Sequence, residues 1–383
     1  MNSSSRKFSK GTAWMGLAAA AVLAASCPAA DFGRLSDGRE TRVFRLAGAG
    51  GLIVDVSDYG GRVVRVYAPD RFGNLADVTL GWNTAAEYEK FGFSMGTLIG
   101  RYGNRIAHGR FTLDGRVVQL PVNEVTATRH CNLHGGPLGW DTKVWEARCF
   151  REGDVPGIEL RYTSADGEMG FPGTVVCKVV YRVLPDNTWT VDYEATTDKP
   201  TVVNLTHHSY WNLAGEASGD VLSQELQIFA DEYTQTDAGL IPTSNAPVKG
   251  TGFDFTTPRA IGAYAKWMAD QPALAAMDNW YDHNFVLRGK IGELHPAATL
   301  RDPVSGRKLE IWTTEPCMQV YGSQNMDGSL PAKAAGRKYP KFAGIALETQ
   351  HYPDSPNRPD FPSTVLRPGE VFRSRSEYRF SAE

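Results

Sequence analysis

The chain has 383 residues, of which 42% are hydrophobic and 22% are charged, a balance typical of globular proteins. This composition argues against wholesale disorder, collagen-like repeats and a disulfide-dense small scaffold. The formal net charge is −3, from 40 basic and 43 acidic residues. Because nucleic-acid binding uses a basic excess or stripe, we expect no nucleic-acid partner.

The first thirty residues predict an export signal rather than a folded element. Arg6, Lys7 and Lys10 form a positive region, and an Ala-rich apolar stretch and small residues follow it. The apolar stretch is too short for a membrane span. We therefore expect residues 1–30 to be a signal peptide and residues 31–383 to form the mature domain. The protein would then be exported to the periplasm or to the bacterial envelope.

Cys27 leaves two modes of processing open. The run LAASC weakly resembles a bacterial lipoprotein box, in which Cys27 would carry a lipid anchor. Cleavage by the ordinary signal peptidase would leave no anchor. An oxidising compartment would permit disulfides, but the sequence does not fix their pairing. The remaining cysteines form no CxxC pair, so neither a redox motif nor a structural zinc site is indicated; they are Cys131, Cys149, Cys177 and Cys317.

After residue 33, strand and turn signals dominate. Helical periodicity is limited to short pieces at residues 84–90 and 260–268. The 39 glycines and 22 prolines fit a chain with many turns, and no linker or repeat divides it. The pattern predicts an all-β protein with one large antiparallel β-sandwich. Four hairpins are predicted, at residues 51–69 around Gly60-Gly61, 110–120 around Asp114-Gly115, 175–197 around residues 185–187, and 298–314 around residues 302–306.

Several histidines lie in polar segments between the strands. His134 precedes two glycines in NLHGG, where a ligand could approach the imidazole closely, although a simple tight turn fits equally well. His207 and His208 are adjacent in NLTHHSYWNL, and on an extended segment only one of them can face a pocket. No HxH or HExxH spacing occurs, so no metal site is indicated. The neighbouring Tyr210 offers a ring face and a hydroxyl, as a carbohydrate site needs.

Carboxylate, guanidinium and amide side chains form a second group of candidates. Glu348 follows an apolar run in IALETQ, where burial without partners would be costly, so it is a stronger candidate than a surface Glu. Asn104 and Arg105 occur in GRYGNRI, and Arg105 could hold hydroxyls or form a structural ion pair. Asp282 begins DHNFVL as a turn residue or a ligand-binding one, and Gln319 lies on an alternating strand.

Six segments in this order resemble the aldose 1-epimerase, or galactose mutarotase, family: GRYGNRIAHGRF, NLHGGPLGWD, NLTHHSYWNL, DHNFVL, TTEPCMQVYG and GIALETQHYPDSPN. The resemblance covers roughly residues 32–380. It implies a large antiparallel β-sandwich of the galactose mutarotase type. It also implies an isomerase that interconverts the α and β anomers of free hexoses such as glucose and galactose. Neither a redox change nor phosphoryl transfer is involved, so we expect no cofactor.

The resemblance also implies residue roles. Glu348 corresponds to the general base and His208 to the general acid of ring opening. We expect a nearby Glu348 carboxylate to favour the charged imidazole of His208. His207 stands where many members have Asn and is expected to be a structural neighbour. The substrate-binding positions are Asn104, Arg105, His134, Tyr210, Asp282 and Gln319.

Three other functions remain open at this stage. A non-catalytic carbohydrate-binding protein would keep the binding residues without needing both Glu348 and His208. An epimerase acting on a phosphorylated or otherwise modified sugar would need further Arg or Lys at the pocket. A glycoside hydrolase could use Asp282 and Glu348 as its two carboxylates. The expected partner is a small sugar in every case, and the sequence does not distinguish a monomer from a homodimer.

Overall fold

The computed structural model describes residues 27–383, so most of the predicted signal peptide lies outside the described residues. Cys27 is buried and the first strand begins at Ala29, which places the start of the folded domain before the predicted boundary at residue 31. No described helix is both long enough and apolar enough to cross a membrane.

Strands account for most of the regular structure. In chain order they are β1 (Ala29–Arg34), β2 (Glu40–Ala47), β3 (Ile53–Ser57), β4 (Val63–Pro69), β5 (Leu75–Asp77), β6 (Leu98–Ile99), β7 (Arg105–Ala107), β8 (Arg110–Leu113), β9 (Arg116–Gln119), β10 (Glu124–Val125), β11 (His130–Leu133), β12 (Glu146–Glu152), β13 (Val155–Ser164), β14 (Val175–Val183), β15 (Thr188–Thr197), β16 (Thr201–Val202), β17 (Thr206–His207), β18 (Tyr210–Trp211), β19 (Glu225–Ile228), β20 (Ala230–Thr236), β21 (Pro242–Pro247), β22 (Arg259–Ala260), β23 (Asp282–Leu287), β24 (His295–Arg301), β25 (Arg307–Thr313), β26 (Cys317–Tyr321), β27 (Ile345–Gln350), β28 (Val365–Leu366) and β29 (Phe372–Ala382).

The helices are short. Those of α type are α1 (Ala85–Phe91) and α2 (Ala265–Ala269), and the 3-10 turns are Trp140–Thr142, Glu168–Gly170, Ile261–Tyr264, Pro272–Met277 and Ser355–Asn357. Thr84 caps α1, since its side chain accepts from the Glu87 N–H while the Glu87 carboxylate accepts from the Thr84 N–H. The two short helical pieces predicted from the sequence are therefore confirmed, the second as a 3-10 turn that runs into α2.

Three large antiparallel sheets form the frame. The nine-stranded sheet has the order β12-β13-β14-β15-β29-β25-β24-β19-β22, the six-stranded sheet β18-β27-β26-β23-β20-β21, and the five-stranded sheet β1-β2-β3-β4-β5. Smaller groups are β10-β11-β7, β16-β28, β17-β6 and β8-β9. All four predicted hairpins are confirmed, as β3–β4, β8–β9, β14–β15 and β24–β25.

The β8–β9 hairpin shows why turn residues were informative. Asp114 and Gly115 have φ angles of 48° and 77°. Two successive positive φ values define the tight turn that matches the twist of the flanking strands, and Asp-Gly adopts it at low cost. This local chemistry made the hairpin predictable without any knowledge of tertiary contacts.

The main hydrophobic core joins the three sheets. Trp189 of β15 stacks on Tyr378 of β29 with ring centroids 4.5 Å apart, and Trp211 of β18 lies 5.5 Å from Tyr378. Val54 of β3 and Leu347 of β27 belong to the same fully buried cluster. The nine-stranded sheet thus packs through aromatic side chains against the six-stranded sheet. The opposite face of the six-stranded sheet is left for polar side chains.

A disulfide connects the N-terminal segment to the nine-stranded sheet. Cys27 is bonded to Cys149 of β12, with Cα atoms 5.9 Å apart. A sulfur engaged in this bond is not available for a lipid, so the disulfide and the lipid anchor considered at Cys27 exclude each other. The free thiols among the described residues are Cys131, Cys177 and Cys317, and all of them are buried.

Candidate active site

Alternation along β27 directs Glu348 away from the main core. Ile345 and Leu347 belong to that core, and the hydroxyl of Thr349 hydrogen-bonds that of Ser376 in β29 at 2.8 Å. Because successive side chains of a strand point to opposite faces, Glu348 lies on the other face of the six-stranded sheet. It is nevertheless only 2% exposed, which makes it a buried carboxyl group on a polar face.

Neighbouring strands add further polar groups to this face. Gln319 of β26 lies directly opposite Glu348 in the antiparallel register. Its Nε2 donates a hydrogen bond to Asp282 Oδ1 of β23 at 2.6 Å. At the other side, Tyr210 of β18 stacks on His208, with ring centroids 4.9 Å apart. The sheet register therefore brings residues that are far apart in the chain into one row.

His208 faces Glu348, whereas His207 faces the core. His208 Nε2 lies 3.4 Å from Glu348 Oε1, and both side chains are buried. The His208 backbone N–H donates to the carbonyl of Thr97 at 2.9 Å, which fixes the segment between β17 and β18. His207 packs against Trp189, with centroids 5.0 Å apart. The structure thus agrees that one histidine of the pair faces the pocket, and that this histidine is His208.

Burial controls the protonation of this pair. It raises the pKa of Glu348 well above its ordinary value and lowers the pKa of His208 to about 4. We expected the carboxylate to favour the charged His208 imidazole, but burial acts in the other direction, because desolvation favours the uncharged form of each group. A neutral acid beside a neutral imidazole contains the same single proton as a carboxylate beside an imidazolium. In either form the pair includes one proton donor and one proton acceptor.

A glycine turn presents the second pocket histidine. His134 has φ of 54° and is followed by Gly135, whose φ is 84°. A Cβ at Gly135 would lie 2.2 Å from the carbonyl oxygen of Gly100, so only glycine allows this close approach. The Asn104 N–H donates to His134 Nδ1 at 3.2 Å. Burial holds the pKa of His134 well below its ordinary value, and the neighbouring His208 imidazole and the charge of Arg105 lower it further. Because Nδ1 accepts from Asn104, the neutral ring carries its proton on Nε2.

Two carboxylates hold Arg105 in place. Its Nε and Nη2 donate to Glu124 at 2.6 and 3.0 Å, and Nη2 lies 3.6 Å from Asp282 Oδ2. Burial alone would lower the pKa of Arg105, but the charges of Asp282 and Glu124 raise it above its ordinary value. Arg105 therefore forms the structural ion pair considered from the sequence, and it also lines a cavity where it could hold hydroxyls.

All eight predicted site residues line one cavity of about 320 Å³. They are Asn104, Arg105, His134, His208, Tyr210, Asp282, Gln319 and Glu348. Seven further lining residues were not predicted from the sequence, namely Phe93, Ser94, Glu124, Arg129, Leu133, Tyr321 and Asn325. Tyr321 could have been found, because it lies two residues after Gln319 on the same strand face. The segment that contains Glu124 and Arg129 had only the composition of a polar turn, so no sequence signal marked it.

One group of pocket side chains has a donor set suited to a divalent cation. The ligand atoms of His134, His208 and Glu348 all lie within 4.8 Å of one another. Two imidazoles and a carboxylate are ligands that zinc accepts in proteins. A cation held there would be bound by His208 and Glu348, the two side chains of the buried acid and imidazole pair.

Comparison with known proteins places this chain in a family. The Aldose 1-epimerase family model matches residues 42–379. The chain belongs to this family. Human galactose mutarotase is 39% identical over 359 residues, covering 93% of this chain and 99% of the human protein. Aldose 1-epimerase of Escherichia coli is 37% identical over 350 residues, covering 91% and 97%.

A solved structure agrees with the family assignment. The crystal structure of an aldose epimerase homologue from C. elegans superposes with a TM-score of 0.79 at 28% identity, covering 89% of this chain and 99% of that one. The predicted β-sandwich of the galactose mutarotase type is therefore confirmed. The predicted enzyme class, an isomerase of the aldose 1-epimerase type, is confirmed by the same family membership.

Proposed function

We propose that the cavity interconverts the α and β anomers of free aldohexoses such as glucose and galactose, with His208 and Glu348 as its proton-transfer pair. The observation that carries this assignment is the 3.4 Å contact between His208 Nε2 and Glu348 Oε1 inside a cavity lined by hydrogen-bonding groups. Anomer exchange requires one group that takes a proton and one that gives a proton in the same step. The pair supplies both at a single point of the pocket.

The chemistry follows from the proton balance. Glu348 takes the proton of the C1 hydroxyl while His208 gives a proton to the ring oxygen, and the bond between C1 and the ring oxygen breaks. The aldehyde rotates about the C1–C2 bond, and the C5 hydroxyl then attacks its other face. Both protons return, so the enzyme is unchanged. General acid and general base catalysis each contribute about 10²–10⁴-fold to such a step.

Burial of the pair affects the distribution of its proton during ring opening. Opening converts the carboxylate and the imidazolium into a neutral acid and a neutral imidazole. Burial favours these uncharged forms, as the raised pKa of Glu348 and the lowered pKa of His208 show. Because the resting pair already favours these uncharged forms, the carboxylate and imidazolium form that opens the ring is the minor one, and the pair returns to its favoured form on opening. Arg105 and His134 hold the hydroxyls in position.

The geometry disfavours the alternatives. A binding protein has no need of a buried acid and base in contact. For a phosphorylated sugar, the cationic side chains that line the cavity, Arg105 and Arg129, are both paired with Glu124. For a glycoside hydrolase, Asp282 would have to be the second free carboxylate. It already accepts from Gln319 and faces Arg105.

Glu348→Gln tests the role of the pair, because it removes the base with little change in shape. We expect kcat/KM for freshly dissolved α-D-galactose, measured by polarimetry with the spontaneous rate subtracted, to fall by about 10²-fold or more. Glu377→Gln is the matched control, since Glu377 is a buried, ion-paired glutamate of β29 outside the cavity. Wild-type activity should survive dialysis against EDTA. Near-full activity of folded Glu348→Gln would exclude Glu348 as the base.

We also propose that the chain is exported and that Cys27 is not lipidated. The positive, apolar and small-residue order of residues 1–30 supports export, and a disulfide at Cys27 is stable in an oxidising compartment. Mass spectrometry of the mature protein from an envelope fraction tests both points. Unreduced, denatured protein should react with thiol reagents only at Cys131, Cys177 and Cys317. A diacylglyceryl group on Cys27 would overturn the second point.

A further inference from the structure

Glu124 is the centre of an ion-pair network at the wall of the cavity. It accepts from Arg105 Nε and Nη2, from Arg129 Nη1 at 2.9 Å, and from the thiol of Cys131 at 3.1 Å. Its side chain is 13% exposed and lines the cavity together with both arginines. One carboxylate therefore pairs with two arginine side chains that line the cavity.

The network is fixed from two sides. Arg105 belongs to β7, and Glu124 belongs to the neighbouring β10–β11 hairpin. Arg129 lies in the turn of that hairpin and also donates through Nη2 to the carbonyl of Ala276. Ala276 is part of the Pro272–Met277 turn, which precedes β23. The guanidinium of Arg129 thus ties the hairpin to a separate segment of the pocket wall.

Charges on the cavity wall are balanced. Burial alone would raise the pKa of Glu124, but the hydrogen bonds and charge of Arg105 lower it to about 2. Glu124 is therefore anionic at neutral pH. Arg105 and Arg129 supply two positive charges, and Glu124 and Asp282 supply two formal negative charges. His134, His208 and Glu348 favour their uncharged forms through burial. No excess positive charge remains to receive an anionic sugar.

We propose that Glu124 is a specificity-determining residue that restricts the site to uncharged sugars by neutralising Arg105 and Arg129. The sugars that it excludes are hexuronic acids, which differ from hexoses by a carboxylate at C6. This inference rests on the proposed mutarotase function. Like charges brought together in a poorly solvated site weaken binding, whereas neutral hydroxyls meet no such repulsion. Selectivity depends on the difference between the affinities for two substrates, so a group that repels one of them increases selectivity for the other.

Glu124→Gln and Arg129→Met test the proposal in opposite directions. The measured quantity is kcat/KM for galacturonic acid divided by kcat/KM for galactose, at pH 7 with spontaneous mutarotation subtracted. Glu124→Gln removes a negative charge and should raise this ratio by about tenfold. Arg129→Met removes a positive charge and should lower it. A substitution that merely loosened the wall would change both substrates alike and leave the ratio unchanged.

Glu168→Gln is the matched control. Glu168 is a partly buried glutamate paired with Lys143 at 3.0 Å, and it does not line the cavity. Its substitution should leave the ratio unchanged. If Glu124→Gln does not fold, as judged by circular dichroism, the direction of the Arg129→Met shift decides alone.

Several outcomes would overturn the role of Glu124. They are equal use of the two sugars by the wild type, an unchanged ratio in the folded variants, or shifts of both variants in the same direction. Failure of the proposed function is distinguishable from these, because the wild type would then not accelerate galactose mutarotation at all.

Discussion

In the proposed mechanism, His208 and Glu348 act as a unit that holds one transferable proton. They are 3.4 Å apart and both buried, so charge on either group is disfavoured by desolvation. A second proton would leave two acids and no base. Loss of the only proton would leave two bases and no acid. Activity therefore depends on the singly protonated pair rather than on the ordinary titration of a histidine.

The pH dependence of mutarotation should reflect this coupling. Because the pKa of His208 is lowered to about 4, kcat/KM should fall as the pH drops through that value and the pair gains a second proton. Because the pKa of Glu348 is raised well above its ordinary value, the alkaline fall should begin only above neutrality. Between these limits kcat/KM should be level through pH 6.5, the ordinary histidine pKa of about 6.5 having no effect.

Polarimetry at closely spaced pH values measures this profile, with the spontaneous rate subtracted at each pH. Circular dichroism at the lowest pH values is the control for unfolding. A clear inflection near the ordinary histidine pKa would show that His208 titrates as a solvated imidazole, and the shared-proton description would then be wrong.

The two adjacent histidines should respond differently to the same substitution. His208→Asn removes the proton donor and should lower kcat by about 10²–10⁴-fold with little loss of stability. His207→Asn should retain activity. It leaves a smaller polar group among Trp189, Tyr181 and Tyr378, and should lower the free energy of unfolding by about 1–3 kcal/mol.

Paired measurements of kcat and of the thermal midpoint separate these effects. The assignment of the acid is reversed if His207→Asn loses catalysis while His208→Asn keeps it. A loss of stability in His207→Asn without a loss of kcat is the result that the packing of this ring against the core requires.

At the level of strands, the sequence predicted the structure where the pattern along one strand or the chemistry of one turn determines it. Glu348 after an apolar run was predictable as a buried polar group, and Asp114-Gly115 was predictable as a hairpin turn. The register between strands was not predictable. Nothing local places Gln319 opposite Glu348, or the β10–β11 hairpin beside Arg105. The predicted residues lie in segments that resemble the family, and the fold brings them into one cavity. Glu124 and Arg129 lie outside those segments, so they were missed.

A second buried acid and histidine pair secures the ends of β26 and β27. His351 follows β27, and its Nδ1 lies 2.5 Å from Oε2 of Glu315, which precedes β26. Burial alone would lower the pKa of His351, but the charge of Glu315 and the hydrogen bond between the two side chains raise this pKa above its ordinary value. A raised pKa in the folded state contributes stability that is complete below the unfolded value of about 6.5. That contribution is lost as the pH rises through the folded value.

The contribution of this pair to the thermal midpoint should therefore decrease as the pH rises above about 6.5. Buried neutral histidines such as His208 act in the opposite direction, so the contribution is measured as the difference between the wild type and a variant that lacks the pair. Glu315→Gln removes the charge that raises the pKa of His351, so the pH dependence attributed to this pair should disappear in that variant. Scanning calorimetry of both proteins in a series of buffers measures the difference. Parallel curves for the two proteins would show that the pair makes no pH-dependent contribution.

On the scale of the whole molecule, the disulfide links the edges of two large sheets. Cys27 precedes β1, the edge strand of the five-stranded sheet, and Cys149 lies on β12, the edge strand of the nine-stranded sheet. The sequence permitted several pairings, because a disulfide depends on Cα separation in the folded state and not on spacing along the chain. The pocket lies on the six-stranded sheet, away from this link.

Removal of the link should therefore reduce stability without changing catalysis. The disulfide joins residues separated by 122 positions, and loss of a bond that closes so long a loop costs about 2–5 kcal/mol of unfolding free energy. Cys149→Ser should lower the thermal midpoint, while kcat and KM for galactose at 25 °C stay at wild-type values. Cys149→Ser also serves as the control for the reductant, because it lacks the disulfide. Dithiothreitol should lower the midpoint of the wild type towards that of Cys149→Ser and leave Cys149→Ser unchanged. An equal response of both proteins to the reductant would mean that the bond does not stabilise the fold.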